Sequence, residues 1–451
     1  MTSKTLILPL EILRRELDAR LLHALFALRR GWEVHLGANA IINRALWKFP
    51  QGVFLLTTLT HNRLYLARLL KRAGFAIQGW DEEGLIYKDR DVYLTRRVSS
   101  ETLAHVDQIF TWGAAGARDV NLRAAKVQKQ ALPLGNPRLD LLRPELRPLY
   151  AADVAKIRDA VGDFVLLNTN FPSVNLVVKR GIQYNKRSSP KDQEFRRQAD
   201  ESYRQFIAHR QFMFRAFQEL VPALADALPR GTKLVLRPHP AENIEPWQRL
   251  AQGHTNIIIA ADGPVIPWVL AAQALIHNDC TTAVEARLLG TEPIAYVPPG
   301  TPKNGDCHVP NAVSHTARNL AELTDLLSAI CAGAVDNRGL EAILDDHVSA
   351  RRGKMAAERA VEHAEALAAE RTFGAQPAHL RAFCLARHGW KKFKARKKTD
   401  AYITRVFPPL SVAEIERRLR RMADLLGMDV TGMELRQTGN RLYLLRMGRN
   451  R

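Results

Sequence analysis

Short apolar runs alternate with helical patterns through the first 335 residues, and this alternation constrains the fold more than any other feature of the chain. The run TLILPL (5–10) precedes a stretch in which leucines keep helical spacing as far as Gly31. The same order restarts at DFVLLNTNF (163–171), after a stretch with four prolines or glycines at 135–150. Alternating strands and helices form parallel sheets that are covered by helices on both faces. We therefore expect an α/β fold with two doubly wound, Rossmann-like domains that face each other across a cleft.

Length and changes of composition set the expected domain boundaries. A chain of 451 residues is too long for one ordinary hydrophobic core. We expect an N-terminal domain over 1–145, a second domain over 146–336, an Ala-rich helical segment over 337–376 and a basic C-terminal extension over 377–451.

Basic residues exceed acidic ones, with 66 Lys and Arg against 46 Asp and Glu, for a net charge of +20. From Pro377 onward the chain holds 18 Lys and Arg but only 6 Asp and Glu, so most of the excess lies there. Such an excess favours a polyanionic partner, either nucleic acid or an anionic membrane surface. The run ARHGWKKFKARKK (386–398) sets Trp390 and Phe393 among seven basic residues. That arrangement suits an anionic bilayer surface, and a solvated run of charge equally well.

Several features bear on the compartment. The four cysteines are widely spaced and form no CxxC pair, which is typical of reduced thiols in a cytosolic protein. The first residues lack the layout of a signal peptide, because charges follow a six-residue apolar run. No stretch approaches 18 consecutive apolar residues, so we expect no membrane-spanning segment. We expect a cytoplasmic protein, with the inner face of the cytoplasmic membrane as the surface that the basic extension would bind.

Two strands of the second domain end in polar residues that suit an anionic ligand. KLVLRPHP ends in Arg237 and His239, each followed by a proline that fixes the backbone, and the pair suits a phosphate. An exposed turn is the alternative. The first strand of this domain ends at Asn168, and we expect Asn168 and Asn170 to face the cleft, unless they only form a turn or cap a helix.

A third strand end of the second domain opens directly into a helix. In ALIHNDCTTAVEARLLG, His277 ends a buried strand, and Thr281 and Thr282 begin the helix. The unpaired N–H groups and hydroxyls of such a start can hold a phosphate. Glu285, one turn inside, can accept hydrogen bonds from a ribose. A plain Thr N-cap with an acidic first turn is the alternative.

In the first domain, three carboxylates follow an apolar run. Asp81, Glu82 and Glu83 stand side by side before Gly84. Adjacent carboxylates repel each other, so we expect the pKa of at least one to rise toward the range of a general acid or base at neutral pH. The glycine would let the backbone turn sharply beside a substrate. A solvated turn is the alternative.

Several enzyme classes lose support because their motifs are absent. No GxGxxG follows the first strand, and the chain contains neither GxxxxGK[ST] nor GxSxG. Nicotinamide dehydrogenases, P-loop enzymes and Ser-His-Asp hydrolases are therefore disfavoured. No DxD lies between a strand and a loop, where it could hold a metal against a diphosphate. We expect no metal and no other cofactor.

Together, the motifs resemble those of a known group of enzymes. DEEG, RPHP and HNDCTTAVEARLLG are similar to the motif set of bacterial GT-B glycosyltransferases that use CMP-activated acidic sugars, which include sialyltransferases and Kdo transferases. The opening of the chain and the run GNPRLDLL resemble bacterial surface carbohydrate biosynthesis proteins. The likeness covers residues 5–335, by rough count, and implies a GT-B-like fold.

The resemblance implies roles for particular residues of this chain. Glu82 or Glu83 would be the catalytic carboxylate, with Glu82 preferred, although Asp81 in the same run leaves the choice open. His239 would contact the CMP phosphate and help the leaving group to depart. The residues that would bind the donor are Arg237, Thr281, Thr282, Glu285, His277, Asn168 and Asn170.

The sequence therefore predicts a glycosyltransferase that moves an acidic sugar, Kdo or one like sialic acid, from a CMP donor to a bacterial surface polysaccharide or glycolipid. One alternative is a GT-B transferase or epimerase that uses a UDP-sugar, because GNPRLDLL also occurs near such folds. The other is a basic nucleic-acid-binding protein without catalysis. Against it, the basic excess lies in the tail, and aromatic residues are not interleaved with basic ones along a strand. We expect no nucleic-acid partner.

Overall fold

The computed structural model describes residues 4–176, 190–302, 308–394, 404 and 407–448, with the side chains of 190–202 and 387–394 left out. The chain forms two compact units. The first takes in the chain up to residue 85, residues 90–149 and the chain from 345 onward. The second takes in residues 86–89 and 150–344.

Six parallel strands open the first unit, in the order β2-β1-β3-β4-β5-β6. These strands are β1 (Thr5–Leu10), β2 (Glu33–Ala38), β3 (Val53–Leu56), β4 (Ala76–Trp80), β5 (Gln108–Thr111) and β6 (Ala131–Pro133). The helices of this part are α1 (Leu13–Arg29), α2 (Asn39–Arg44), α3 (Leu64–Arg72), α4 (Arg90–Arg97), α5 (Ser100–Leu103), α6 (Ala114–Ala124) and α7 (Pro137–Asp140). Short 3-10 turns occupy Leu46–Lys48, His61–Arg63, Ala125–Val127 and Arg147–Tyr150.

The second unit is built on a six-stranded parallel sheet in the order β12-β11-β10-β7-β8-β9. Its strands are β7 (Phe164–Asn168), β8 (Lys233–Arg237), β9 (Ile257–Ile259), β10 (Ala274–His277), β11 (Glu292–Tyr296) and β12 (His315–Ala317). The helices from here are α8 (Ala151–Val161), α9 (Pro190–Ala227), α10 (Glu245–Ala251), α11 (Val265–Ala271), α12 (Thr282–Leu289), α13 (His308–Ala312), α14 (Leu320–Cys331) and α15 (Arg338–His347). Phe171, Phe217 and Trp247 are fully buried in its core.

The C-terminal part of the chain returns to the first unit. Its described residues include the helices α16 (Ala356–Ala369), α17 (Ala378–Lys394) and α18 (Val412–Leu425) and the strands β13 (Met433–Gly439) and β14 (Leu442–Met447). Strands β13 and β14 form an antiparallel hairpin, and β14 pairs antiparallel with β2, which extends the first sheet to eight strands.

This return differs from the domain boundaries expected from the sequence, which set 337–376 and 377–451 apart from both domains. The physical reason is burial: Val361 of α16 and Leu419 of α18 are fully buried in the same core as Leu21 of α1. Composition showed the charge of this segment but not the apolar stripes on α16 and α18. Among the residues described, no helix is both long and apolar enough to cross a bilayer.

Candidate functional site

Polar residues follow both strands at the point where the order of the second sheet reverses. The chain leaves β7 toward β8 and β9 on one side, and β10 lies on the other. In doubly wound sheets, ligands bind outside the carboxyl ends of the strands at such a reversal. Strand β7 ends at Asn168 and β10 ends at His277. The sequence-predicted residues of the second domain therefore lie along the edge where the topology favours a ligand.

Hydrogen bonds join the ends of these two strands. The Asn168 side chain donates to the Thr282 hydroxyl over 3.1 Å. The backbone N–H of Asn170 donates to the Asn278 side-chain oxygen over 3.0 Å. Two segments more than 100 residues apart in the chain are thus held in one fixed arrangement of neutral polar groups.

Asp279, directly after this strand end, is in a strained conformation. Its φ of 49° lies in the left-handed region, which is uncommon for a residue with a side chain. A buried ion pair with Arg210 of α9, at 2.7 Å, holds it there, and Arg210 also donates to the Asn170 carbonyl over 3.1 Å. Strain of this kind is kept where the surroundings enforce it, and it concentrates at functional sites.

Helix α12 begins immediately after Asp279 and Cys280. Thr281 at the N-cap is exposed, and within the described part of the chain its side chain caps no backbone N–H of α12. Glu285 is half-buried in the first turn. Thr281, Thr282 and Glu285 thus lie together at a helix N-terminus, next to Asn168. Their contact with a phosphate or a ribose stays a prediction.

His239 is exposed in the loop that follows β8. Its Nδ1 accepts a hydrogen bond from the backbone N–H of Ala241 over 3.1 Å, so in the neutral ring the proton is on Nε2. Partial burial lowers the pKa of His239, while the nearby Glu242 carboxylate acts in the opposite direction. A neutral ring with its hydrogen on Nε2 can donate one hydrogen bond to an anion.

Two of the residues that the sequence predicted to bind the donor substrate, Arg237 and His277, form hydrogen bonds to groups inside the second unit instead. Arg237 donates to the carbonyls of Asp262 and Gly263 over 2.9 and 3.0 Å, and burial lowers its pKa to about 10. His277 is fully buried and donates from Nε2 to the Ser314 hydroxyl over 2.8 Å, because that hydroxyl itself donates to a carbonyl. Burial lowers the pKa of His277 to about 3. Strand position was readable from the sequence, whereas the direction of these side chains was not.

In the first unit, the DEEG run forms a tight turn at the end of β4. The N–H of Gly84 donates to the Asp81 carbonyl over 3.0 Å, and Trp112 donates to the same carbonyl over 2.8 Å. A side chain at position 84 would meet the Tyr93 hydroxyl at 2.7 Å. The position is crowded, with the Asp81 carbonyl oxygen at 3.1 Å as well, and its backbone is not left-handed.

Glu82, the preferred catalytic carboxylate of the sequence analysis, is buried against an arginine. Arg20 of α1 is fully buried and donates to it over 2.6 Å. Burial alone would raise the pKa of Glu82, but the guanidinium groups of Arg20, Arg138 and Arg15 outweigh it and hold the pKa below its usual range. Glu82 is therefore ionised at neutral pH and a weak proton acceptor.

Asp81 has the opposite electrostatics. Burial raises its pKa, Arg97 opposes that rise by hydrogen bonding, and Glu83 adds to it by repulsion. Arg97 binds both oxygens of Asp81 and also pairs with the exposed Glu83 at 2.7 Å. The expected rise of one pKa in the run thus falls on Asp81, mainly through burial. Asp81 and Gly84 line a small cavity of about 10 Å³.

Sequence reasoning missed the residues that hold these groups in place. Arg20, Arg97 and Arg210 lie on helices, and helical periodicity alone gives no sign that Arg20 and Arg210 are buried or that Arg97 is half-buried. Glu242 follows His239 at the spacing of a capping box, HPAE, and that spacing could have indicated it. Across the described ranges, no cluster of three His, Cys, Asp or Glu side chains could hold a metal ion.

Comparison with known proteins gives similarity in structure but not in sequence. No family model matches the chain, and no curated protein matches it. The UDP-GlcNAc 2-epimerase of Methanocaldococcus jannaschii is similar with a TM-score of 0.51 and 11% identity, over 81% of this chain and 100% of that one. The chain has a GT-B-like fold. The fold predicted from the sequence, two Rossmann-like units, is confirmed.

Other solved structures are similar at lower scores. The UDP-GlcNAc 2-epimerase of Neisseria meningitidis bound to UDP-GlcNAc has a TM-score of 0.49 and 12% identity, over 81% of this chain and 100% of that one. The wall teichoic acid polymerase TagF has a TM-score of 0.43 and 12% identity, over 70% of this chain and 72% of that one.

Proposed function

We propose that this protein is an enzyme that acts on a nucleotide-linked sugar, with a UDP-sugar as the preferred substrate. The observation that carries the proposal is the joined set of polar groups at the strand reversal of the second sheet. That edge is where doubly wound folds bind nucleotides. The strained, buried Asp279 in the same set supports a functional edge over an ordinary loop.

In this proposal the second unit binds the nucleotide. The Nε2–H of His239 and the start of α12 at Thr281 and Thr282 donate to phosphate oxygens. Glu285 accepts from the ribose hydroxyls. Asn168 and Asn170 hold the surrounding backbone, and Arg237 and His277 support the strand ends from inside the unit.

In the first unit, we assign the proton-transfer role to Asp81 in preference to Glu82. A general base must titrate near the working pH, and only Asp81 of these two has a raised pKa. Asp81 also lines a small cavity, whereas Glu82 is bound to the fully buried Arg20. Glu83 is exposed and shares Arg97 with Asp81, so it modulates that carboxylate.

Two candidate substrates differ in the nucleotide that carries the sugar. A UDP-sugar is favoured because the M. jannaschii enzyme with the same fold is a UDP-GlcNAc 2-epimerase. A CMP-activated acidic sugar is the second candidate, supported by the order of DEEG, RPHP and HNDCTTAVEARLLG in the sequence. The chemistry would be transfer to a surface polysaccharide or glycolipid in the second case, and transfer or epimerisation in the first.

A thermal-shift screen with UDP, UMP, CMP and GDP tests the proposal. A selective rise in melting temperature with UDP supports the UDP-sugar enzyme, and selectivity for CMP moves the assignment to the second candidate. If none of the four stabilises the protein, the proposal fails. With UDP-GlcNAc in D2O, deuterium at the sugar C2 would indicate epimerisation, whereas release of UDP that depends on an acceptor would indicate transfer.

We further propose that the basic C-terminal segment brings the enzyme to an anionic membrane that carries its acceptor. Helix α17 exposes Phe383 and Leu385, 49% and 48% accessible, just before the run at 386–398. The side chains of that run from 387 onward lie outside the described residues. Exposed aromatic and aliphatic groups beside basic residues suit such a surface.

Co-sedimentation with anionic vesicles tests this membrane proposal. Truncation at Pro377 is unsuitable, because it removes β14 from its pairing with β2. The variant Lys391→Glu/Lys392→Glu/Lys394→Glu should stay in the supernatant at low salt while wild type pellets. A control with the same charge change on α18, built at Arg417, Arg420 and Arg421, should still pellet. Equal pelleting of both variants and wild type would contradict the proposal.

A further inference from the structure

The loop after β8 is organised around one buried carboxylate. Glu242 is 3% exposed and accepts five hydrogen bonds, three of them from side chains and two from the backbone. The donors are the Thr169 hydroxyl at 2.9 Å, Phe171 N–H at 2.8 Å, His239 N–H at 3.3 Å, Asn175 Nδ2 at 3.4 Å and Trp247 Nε1 at 3.1 Å. They come from the segment after β7, the loop after β8 and helix α10, so this carboxylate fixes three parts of the unit at once.

Glu242 holds both backbone groups of His239. Its carboxylate accepts the His239 N–H, and its own N–H donates to the His239 carbonyl over 2.8 Å. Between them, the Ala241 N–H donates to His239 Nδ1. One half of this pattern is that of a capping box, because the glutamate three residues later accepts the His239 N–H; the His239 ring, however, accepts the N–H of Ala241 and not that of Glu242. Here the pattern closes a turn instead of starting a helix, since α10 begins only at Glu245.

The turn determines which nitrogen of His239 carries the proton. An N–H donor at Nδ1 can be accepted only by a ring whose Nδ1 is unprotonated. The neutral imidazole must then carry its hydrogen on Nε2, and the residue as a whole is exposed. A displaced turn would remove this restriction, and both neutral tautomers would form.

We propose that Glu242 is a positioning residue that fixes the His239 turn and thereby keeps His239 as an Nε2–H donor toward an anionic ligand. The tautomer itself follows from the hydrogen bonds alone. The identity of the ligand as a nucleotide phosphate rests on the proposed function above.

Nitrogen-15 NMR of histidine-labelled protein above pH 8 tests the first part, with the His239 signals assigned by their loss in His239→Ala. Wild type should show a protonated Nε2 and an unprotonated Nδ1. Glu242→Gln should show both tautomers, because an amide offers one oxygen to five donors and faces at least one of them with its own NH2. In isothermal titration, the dissociation constants of Glu242→Gln for UDP and for CMP should be higher than those of wild type by roughly threefold or more.

Trp247→Phe is the matched control. It also removes one hydrogen bond from Glu242, and it lowers stability, but it leaves the contacts to His239 in place. It should keep the wild-type tautomer and affinity. The double variant Glu242→Gln/Trp247→Phe lacks the Trp247 N–H, so one fewer donor faces the glutamine amide. It should regain part of the wild-type tautomer preference and part of the wild-type affinity.

Three outcomes would overturn the inference. The first is a wild-type His239 with its proton on Nδ1, which needs no variant and decides the matter even if Glu242→Gln fails to fold. The second is a Glu242→Gln protein with wild-type tautomer and affinity but a lower melting temperature. The third is an equal loss in Trp247→Phe. Should wild type bind neither nucleotide, the proposed function fails, and the tautomer comparison still decides the role of Glu242.

Discussion

The two units both carry polar groups at the carboxyl edges of their sheets, but they hold them differently. In the first unit, Asp81 and Glu82 are buried carboxylates, and each is paired with an arginine from a different helix. In the second unit, neutral groups hold one another, as Asn168 does with Thr282. The pair Asp279–Arg210 is a charged contact there, and it coincides with the strained backbone.

The difference in bonding indicates a difference in task. A buried charge is costly to leave unpaired, so the first edge depends strongly on its arginines, and it can tune a carboxylate for proton transfer. A neutral hydrogen bond contributes about 1 kcal/mol, so the second edge can exchange partners with a ligand at little cost. We therefore expect charge variants in the first unit to affect stability and turnover, and polar variants in the second to affect binding.

The largest expected effect is on stability, from Arg20→Met. This change leaves Glu82 buried without its partner, and breaking a buried ion pair costs about 3–5 kcal/mol. Asn168→Ala in the second unit should cost only about 1 kcal/mol, since it removes a neutral hydrogen bond. Urea unfolding measures both. Similar losses in the two variants would show that the units do not differ in this way.

Asp81→Asn should lower turnover about a hundredfold if Asp81 is the general base, because loss of such a group costs two to four orders of magnitude. The dissociation constant for UDP should not change, since recognition is assigned to the other unit. Glu83→Gln is the matched control: it is exposed, shares Arg97 and should lose only a small part of the activity. If Glu83→Gln, or Glu82→Gln, is the inactive variant and Asp81→Asn is not, the assignment to Asp81 is wrong.

The sequence predicted the fold better than the site, for reasons that particular elements show. The apolar runs indicated strands such as β1, β7, β8 and β10, because each buried parallel strand is a local pattern. The hairpin β13–β14 was not predicted from the sequence, because β14 pairs with β2, some 400 residues earlier. No local periodicity carries information about a partner so distant. Strand β12 has only three residues, His315–Ala317, too few to show a pattern.

The sequence indicated which residues lie at the strand ends, but it did not indicate where their side chains point. Strand ends fixed where Asn168, His239 and Thr282 would lie, and the sheet topology brings them to one edge. The inward turn of Arg237 depends on two carbonyls in the loop after β9, which the local sequence does not reveal. The match of Arg20 to Glu82 likewise spans 62 residues and needs the packing of α1 against the sheet edge.

The pH dependence of activity and of stability distinguishes the two sheet edges, because Asp81 of the first unit is the residue that we expect to titrate. A base must be deprotonated, so kcat/KM should fall about tenfold per pH unit below the pKa of Asp81, and that fall should begin above the ordinary range of an aspartate. The unfolded chain ionises Asp81 at lower pH than the folded one, so this residue makes stability decrease as pH rises between the two pKa values. Asp81→Asn should remove both effects. A wild-type acid limb that persists in the residual activity of Asp81→Asn would assign the titration to another group.

The smallest expected effect is on binding, from His239→Ala. The Nε2–H can donate one hydrogen bond to the ligand, which contributes about 1 kcal/mol, so the dissociation constant for UDP should rise about fivefold. The urea midpoint should stay within error, because the His239 side chain is exposed and Glu242 binds only its backbone. Asp81→Asn should behave in the opposite way, with turnover lost and affinity kept. If His239→Ala instead lowers stability and leaves the dissociation constant unchanged, His239 is a structural residue of the turn, and recognition of the nucleotide must be sought elsewhere on the second unit.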